Sequence, residues 1–127
     1  MTKRSFEVGV EVLRTNPNPR IGDVGAAIDA YVVANGCSTV KKYVGHGIGT
    51  NLHEDPNVPN FGTAGRGARI CRGMVIAIEP MVNAGRPEVL ERPDHWTVVT
   101  KDGSLSAHYE HTVAMTENGP ELLTKVN

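Results

Sequence analysis

The chain has 127 residues and a mass of 13.6 kDa, room for a single domain (1–127) that can bury roughly two-thirds of its unfolded surface. Thirteen Lys and Arg against fourteen Asp and Glu give a net charge of -1 with no long run of one sign, which argues against a nucleic-acid or anionic-lipid binder. No stretch approaches the roughly 18 consecutive apolar residues of a membrane span, and the first residues lack the apolar core of a secretory signal, so the chain is expected to be soluble and cytoplasmic. Fourteen glycines and eight prolines punctuate it too often for a coiled coil or a repeat array. Cys37 and Cys71 lack metal-type spacing and are expected to be reduced, buried, small apolar residues.

Phe6, Val10 and Leu13 follow an i, i+4, i+7 pattern after a Thr2 or Ser5 cap and stop before Pro17-Asn18-Pro19, which predicts a first amphipathic helix. Val24, Ala27, Ile28, Tyr31 and Val32 share one face of a second, from about Gly22 to Ala34, ended by Gly36. From Ser38 onward short apolar or β-branched runs predict strands at Thr39 to Val44, Met74 to Ile78, Trp96 to Thr100 and Leu105 to Met115. The Asp-Gly pair in Lys101-Asp102-Gly103-Ser104 predicts a hairpin between the last two. Residues 53 to 73 show neither period and are expected to form a long surface loop. The order predicts an α+β fold, two helices packed on one face of a largely antiparallel sheet.

Three polar interruptions of the strand pattern carry chemistry. The apolar run Met74 to Ile78 ends in Glu79-Pro80. In the run Ser106 to Val113, two-residue alternation places Ser106, His108, Glu110 and Thr112 on one face and Ala107, Tyr109, His111 and Val113 on the other. The third is Gly45-His46-Gly47-Ile48-Gly49, whose glycines permit close backbone approach, followed by His53 after a stretch, Gly49-Thr50-Asn51, able to turn the chain back. Buried carboxylates are costly unless paired or bound to a cation, so two glutamates and two histidines in such places are consistent with a metal site. Each residue alone is more often a hydrogen-bonded core group or an edge-strand charge than a ligand, and the spacing by itself leaves the two readings even. His53-Glu54-Asp55-Pro56 lacks the second histidine of a zinc-protease helix, and Pro56 breaks the helix. Asp55, Asp94, His95 and Asp102 fall in turn-rich segments where solvated polar side chains are expected.

Together, Gly45-His46-Gly47-Ile48-Gly49, His53-Glu54-Asp55-Pro56, Ile78-Glu79-Pro80-Met81-Val82, Trp96-Thr97-Val98-Val99-Thr100 and Tyr109-Glu110-His111-Thr112 resemble the type I methionine aminopeptidases, in order and spacing, from about Phe6 to Thr124. The resemblance implies half of a pita-bread fold, the C-terminal half of the family's catalytic domain. It implies divalent metal ions as cofactors, a dinuclear centre of Co, Mn, Fe or Zn, with His46, Glu79 and Glu110 as ligands. It further implies Glu79 as general base, His53 as the group that meets the substrate at the scissile bond and stabilises the tetrahedral intermediate, and Trp96 as part of the methionine pocket. The implied reaction is removal of an initiator methionine from a nascent peptide whose second residue is small.

The family's other half supplies two strand aspartates and another histidine. Asp23 and Asp29 sit in the second helix, are expected to be solvated and do not replace them, so this chain alone would hold one ion or none. At His108 the family more often has glutamine, and the imidazole is read as a hydrogen-bond partner of Glu110 rather than an added ligand. The chain is therefore expected to need a complementary N-terminal half for activity. A homodimer facing its His46, Glu79 and Glu110 sets across a twofold axis is a second assembly to consider. The reading from a different class is a non-catalytic pita-bread module that binds peptides or proteins, although such modules tend to lose metal ligands.

Overall fold

The computed structural model describes residues 1–126. Helix α1 spans Thr2–Thr15 and α2 spans Ile21–Ala34. Helix α1 buries Phe6, Val10 and Leu13, the predicted stripe, against Val24, Ile28 and Val32 of α2. No side chain caps α1, and Ser5 instead donates to the Thr2 carbonyl oxygen at 2.6 Å. At the start of α2 the Asp23 carboxylate accepts the Arg20 N–H at 2.8 Å, which satisfies one of the free donors of the first turn and places a negative charge at the positive end of the helix. After the C-cap at Asn35, Gly36 takes φ +77°, the left-handed residue expected there.

Among the described residues ten strands follow: β1 Ser38–Thr39, β2 Gly45–Ile48, β3 Glu54–Val58, β4 Val75–Ile78, β5 Met81–Asn83, β6 Val89–Glu91, β7 Val98–Thr100, β8 Ser106–His108, β9 His111–Thr116 and β10 Gly119–Leu122. They form three antiparallel sheets, with orders β10-β9-β4-β2-β3, β1-β5-β8 and β6-β7. The helices cover the five-stranded sheet, and Ile76 and Ile78 of β4 and Val113 of β9 complete the core with the helical residues. Strand β4 is the middle strand, so its two-sided apolar run is what a fully enclosed strand requires. Among the described residues no helix is long and apolar enough to cross a membrane.

Six expectations are corrected. The Lys101 to Ser104 turn does not join a hairpin: β7 pairs back with β6, and β8 pairs with β5. The carboxylate of Asp102 accepts the Arg86 N–H at 2.8 Å, so the turn is spent on an earlier loop. Residues 53 to 73 are not all loop, because β3 pairs with β2 despite Pro56, a residue compatible with this sheet edge. The run from Leu105 to Met115 is two strands in two sheets, broken at Tyr109-Glu110, and of the run Thr39 to Val44 only Thr39 lies in a strand, the rest being bend and irregular chain that leads into β2. Finally, Cys71 is exposed and Cys37 only half-buried. Asp23 and Asp29 are also more than solvated charges: Asp23 accepts the Gly65 N–H at 2.7 Å, and Asp29 accepts the Thr39 hydroxyl at 2.5 Å and pairs with Lys41 at 3.2 Å.

Candidate metal centre

The chain passes between the two larger sheets twice in this region, and each crossing carries a glutamate. It leaves the five-stranded sheet at Ile78, passes Glu79-Pro80 and enters the three-stranded sheet at Met81. It returns from His108 through Tyr109-Glu110 to His111. The crossings are joined by the Tyr109 N–H, which donates to the Pro80 carbonyl oxygen at 3.1 Å. A carboxylate at a crossing faces the seam instead of one sheet surface, so both reach the same point.

His46 arrives there from β2, which lies beside β4 with His46 opposite Ala77. Its neighbours must be glycine for steric reasons: a Cβ at Gly45 would collide with the Ala77 carbonyl oxygen, and one at Gly47 with the Asp55 carbonyl oxygen. Donor atoms of His46, Glu79 and Glu110 all lie within 4.8 Å of one another. His46 Nε2 is 3.9 Å from Glu79 Oε2, and these side chains are only 10% and 16% exposed. The Nδ1 atom of His46 lies 3.0 Å from the Gly47 carbonyl oxygen, where it can donate and leave Nε2 free as a ligand atom.

The chain reverses after Ile48, where the Gly49 N–H donates to the Asn51 carbonyl oxygen at 3.1 Å and the Asn51 N–H to the Glu54 carboxylate at 2.9 Å. The reversal brings the exposed His53 ring to 4.0 Å from that of His46, centroid to centroid. A cavity of about 540 Å³ opens beside the two histidines.

Burial pushes the Glu79 carboxyl up to about 8, helped by its hydrogen bond to Glu110 and by that residue's charge. A divalent cation reverses this balance, since it neutralises both carboxylates at once. The donor set suits such an ion: one imidazole and two carboxylates, ligand types that divalent metals accept, converge to within 4.8 Å of one another. Among the described residues no other group of three such side chains converges in this way.

His108 stands apart from that group, with Nε2 3.8 Å from Glu110 Oε2, too long for the hydrogen bond expected of it. Trp96, held in a turn whose N–H groups at Trp96 and Thr97 donate to Asp94, is 88% exposed. One residue escaped the sequence reading. Asn60, fully buried, donates from Nδ2 to the Glu79 carbonyl oxygen at 3.3 Å and so steadies the crossing. It lies in a stretch without periodicity, where nothing in a single sequence sets it apart.

The sequence matches the metallopeptidase family M24 over residues 2–117: the chain belongs to that family. Within it the similarity is to methionine aminopeptidases. That of Clostridium perfringens is 54% identical over 126 residues, covering 99% of this chain and 50% of the relative. Methionine aminopeptidase 1 of Bacillus subtilis is 47% identical over 126 residues, with 99% and 50% covered. The crystal structure of the Thermotoga maritima methionine aminopeptidase superposes with a TM-score of 0.93 at 46% identity, over 98% of this chain and 49% of that one. The prolidase of Pyrococcus furiosus, at 22% identity and a TM-score of 0.68, shares the fold alone. The chain thus spans about half the length of the curated relatives it matches, their C-terminal half, and the half pita-bread architecture is borne out.

Proposed function

We propose that this chain is the part of a methionine aminopeptidase that holds metal through His46, Glu79 and Glu110 and removes the initiator methionine from peptides whose second residue is small. The observation that carries the reading is the meeting of those three side chains, drawn from separate strands and crossings, within 4.8 Å. When bound there, a divalent ion supplies the charge that polarises the scissile carbonyl and eases deprotonation of the attacking water.

The protein's own groups do the rest. Glu79, at the crossing beside His46, takes the proton of the attacking water and returns it to the departing amine. His53, beside His46 and open to solvent, donates to the oxygen that gains negative charge in the tetrahedral intermediate. Trp96 offers an indole face to the methionine side chain. A pure binding module would have no reason to keep three ligating side chains aimed at one point.

The partners in this reading are the N-terminus of a nascent peptide and a complementary half bearing two strand aspartates, with a homodimer as the other assembly. Methionine release from a Met-Ala-Ser peptide, with Mn or Co added, tests it on this chain alone and mixed with the N-terminal half of a relative. Release that a Glu79→Ala control lacks is expected from the mixture. Silence from a correctly folded mixture that binds metal overturns the assignment.

A further inference from the structure

His108 is held where a donor would be useful. Its backbone lies opposite Met81 in the β5–β8 ladder, two residues beyond Glu79, and the next residue, Tyr109, is bonded to Pro80. The pairing with β5 therefore fixes the backbone of His108 next to the crossing that carries Glu79, with its ring outside the group formed by His46, Glu79 and Glu110. Its side chain makes no hydrogen bond among the described residues, is 41% exposed and points its Nε2 at Glu110 Oε2, 3.8 Å away. That separation is too long for a hydrogen bond yet within the span of about 4.2 Å that one ion can bridge with two bonds of about 2.1 Å.

We propose that His108 is an additional nitrogen donor of this metal centre, entering beside Glu110, and that it biases the centre toward metals that favour imidazole. The proposal rests on the reading of His46, Glu79 and Glu110 as ligands. With His108 the centre offers two imidazoles and two carboxylates instead of one imidazole and two carboxylates. Nitrogen donors favour Co, Ni and Zn over Mn, for which oxygen donors suffice. A second imidazole therefore strengthens cobalt binding far more than manganese binding.

The test is metal binding by the purified 127-residue chain, followed by calorimetry for Co(II) and Mn(II) and by the visible absorption of the cobalt form. His108→Gln is expected to weaken Co(II) binding by about tenfold or more, to shift the cobalt ligand-field bands and to change Mn(II) affinity far less. Its metal-free melting temperature should match that of the parent, which separates loss of a donor from loss of fold. His108→Cys restores a donor, and direct ligation shows as a thiolate-to-cobalt charge-transfer band in the near ultraviolet. Unchanged cobalt affinity and spectrum in His108→Gln, or a His108→Cys protein without that band, overturns the proposal. If His46→Ala abolishes cobalt binding while His108→Gln leaves cobalt affinity and spectrum unchanged, only the role of His108 falls. If neither the parent chain nor its mixture with the N-terminal half of a relative binds either metal, the three-ligand reading falls and the fourth donor with it.

Discussion

The five-stranded sheet and the two-stranded β6–β7 ribbon are built by the same chain on opposite principles. The sheet has the helices on one face, and its middle strand β4 buries Ile76, Ala77 and Ile78 completely. The ribbon lacks that backing among the described residues: residues 90–98 are all exposed, and its order comes from turns in which Asp94 and Asp102 accept backbone N–H groups. Apolar burial supports the first, local hydrogen bonding the second. The three convergent ligands rest on or beside the well-packed sheet, whereas Trp96 rides on the ribbon. On the proposed reading, ligand geometry would rest on the well-packed part and substrate contact on the exposed one.

The strongest way to break the contrast is to hollow out the sheet. Ile76→Ala should cost about 2–5 kcal/mol in urea unfolding, because the enclosed site cannot collapse around the missing atoms. Gly47→Ala comes next, at about 1–3 kcal/mol, since the new methyl meets a strand carbonyl with no room to yield. It should also weaken metal binding by moving His46, which calorimetry would show.

The two regions should answer pH with opposite signs. Glu79 has a folded-state value near 8, above its ordinary 4.5, so the folded metal-free chain keeps a proton that the unfolded chain releases. Stability should therefore be greatest below about 4.5, fall as pH rises to about 8 and level off above it. Glu79→Gln should flatten that slope in denaturant unfolding followed across pH. Asp102 is the reverse case. The Arg86 and Ser104 N–H groups hold it at about 2, below its ordinary 3.8, so its contribution is present above 3.8 and lost as pH falls toward 2. Amide exchange at Arg86 and Ser104 should quicken in Asp102→Asn while the β4 amides stay protected. Smallest of all, Trp96→Ala should change stability by no more than about 0.5 kcal/mol, since its ring is almost wholly solvated. If it lowers methionine release all the same, the ribbon serves the substrate and not the fold.

What the sequence revealed follows the same division. Both helices and β4 were legible because burial imposes a period, and Phe6, Val10 and Leu13 or Val75 to Ile78 have no other reason to be spaced as they are. Gly45 and Gly47 were legible as points of close approach. The hairpin at Asp102-Gly103 was misread because a turn signal is local, whereas the choice of β5 as partner for β8 is made by distant residues. Glu110 was expected in mid-strand, and the break beside it is invisible to alternation: His108 still reaches toward Glu110, while Tyr109 and His111 still share a hydrogen bond of 3.0 Å. Alternation reports which side chains meet, not whether the strand between them is continuous. The three-residue centre became legible through the family resemblance, since His46, Glu79 and Glu110 meet only after β2, β4 and β9 are aligned.

That alignment has a consequence for how the molecule holds together. The three donors are spread from residue 46 to residue 110, so an ion shared among them closes two long loops of chain at a single knot. In the unfolded ensemble such a knot is improbable, and the entropy withheld from that ensemble appears as stability of the native form, much as it does for a cross-link. The ion would act as a removable rivet whose grip depends on its free concentration. Chelation would then do more than silence the chemistry: it would free two crossings between sheets and lower the temperature at which the whole domain comes apart.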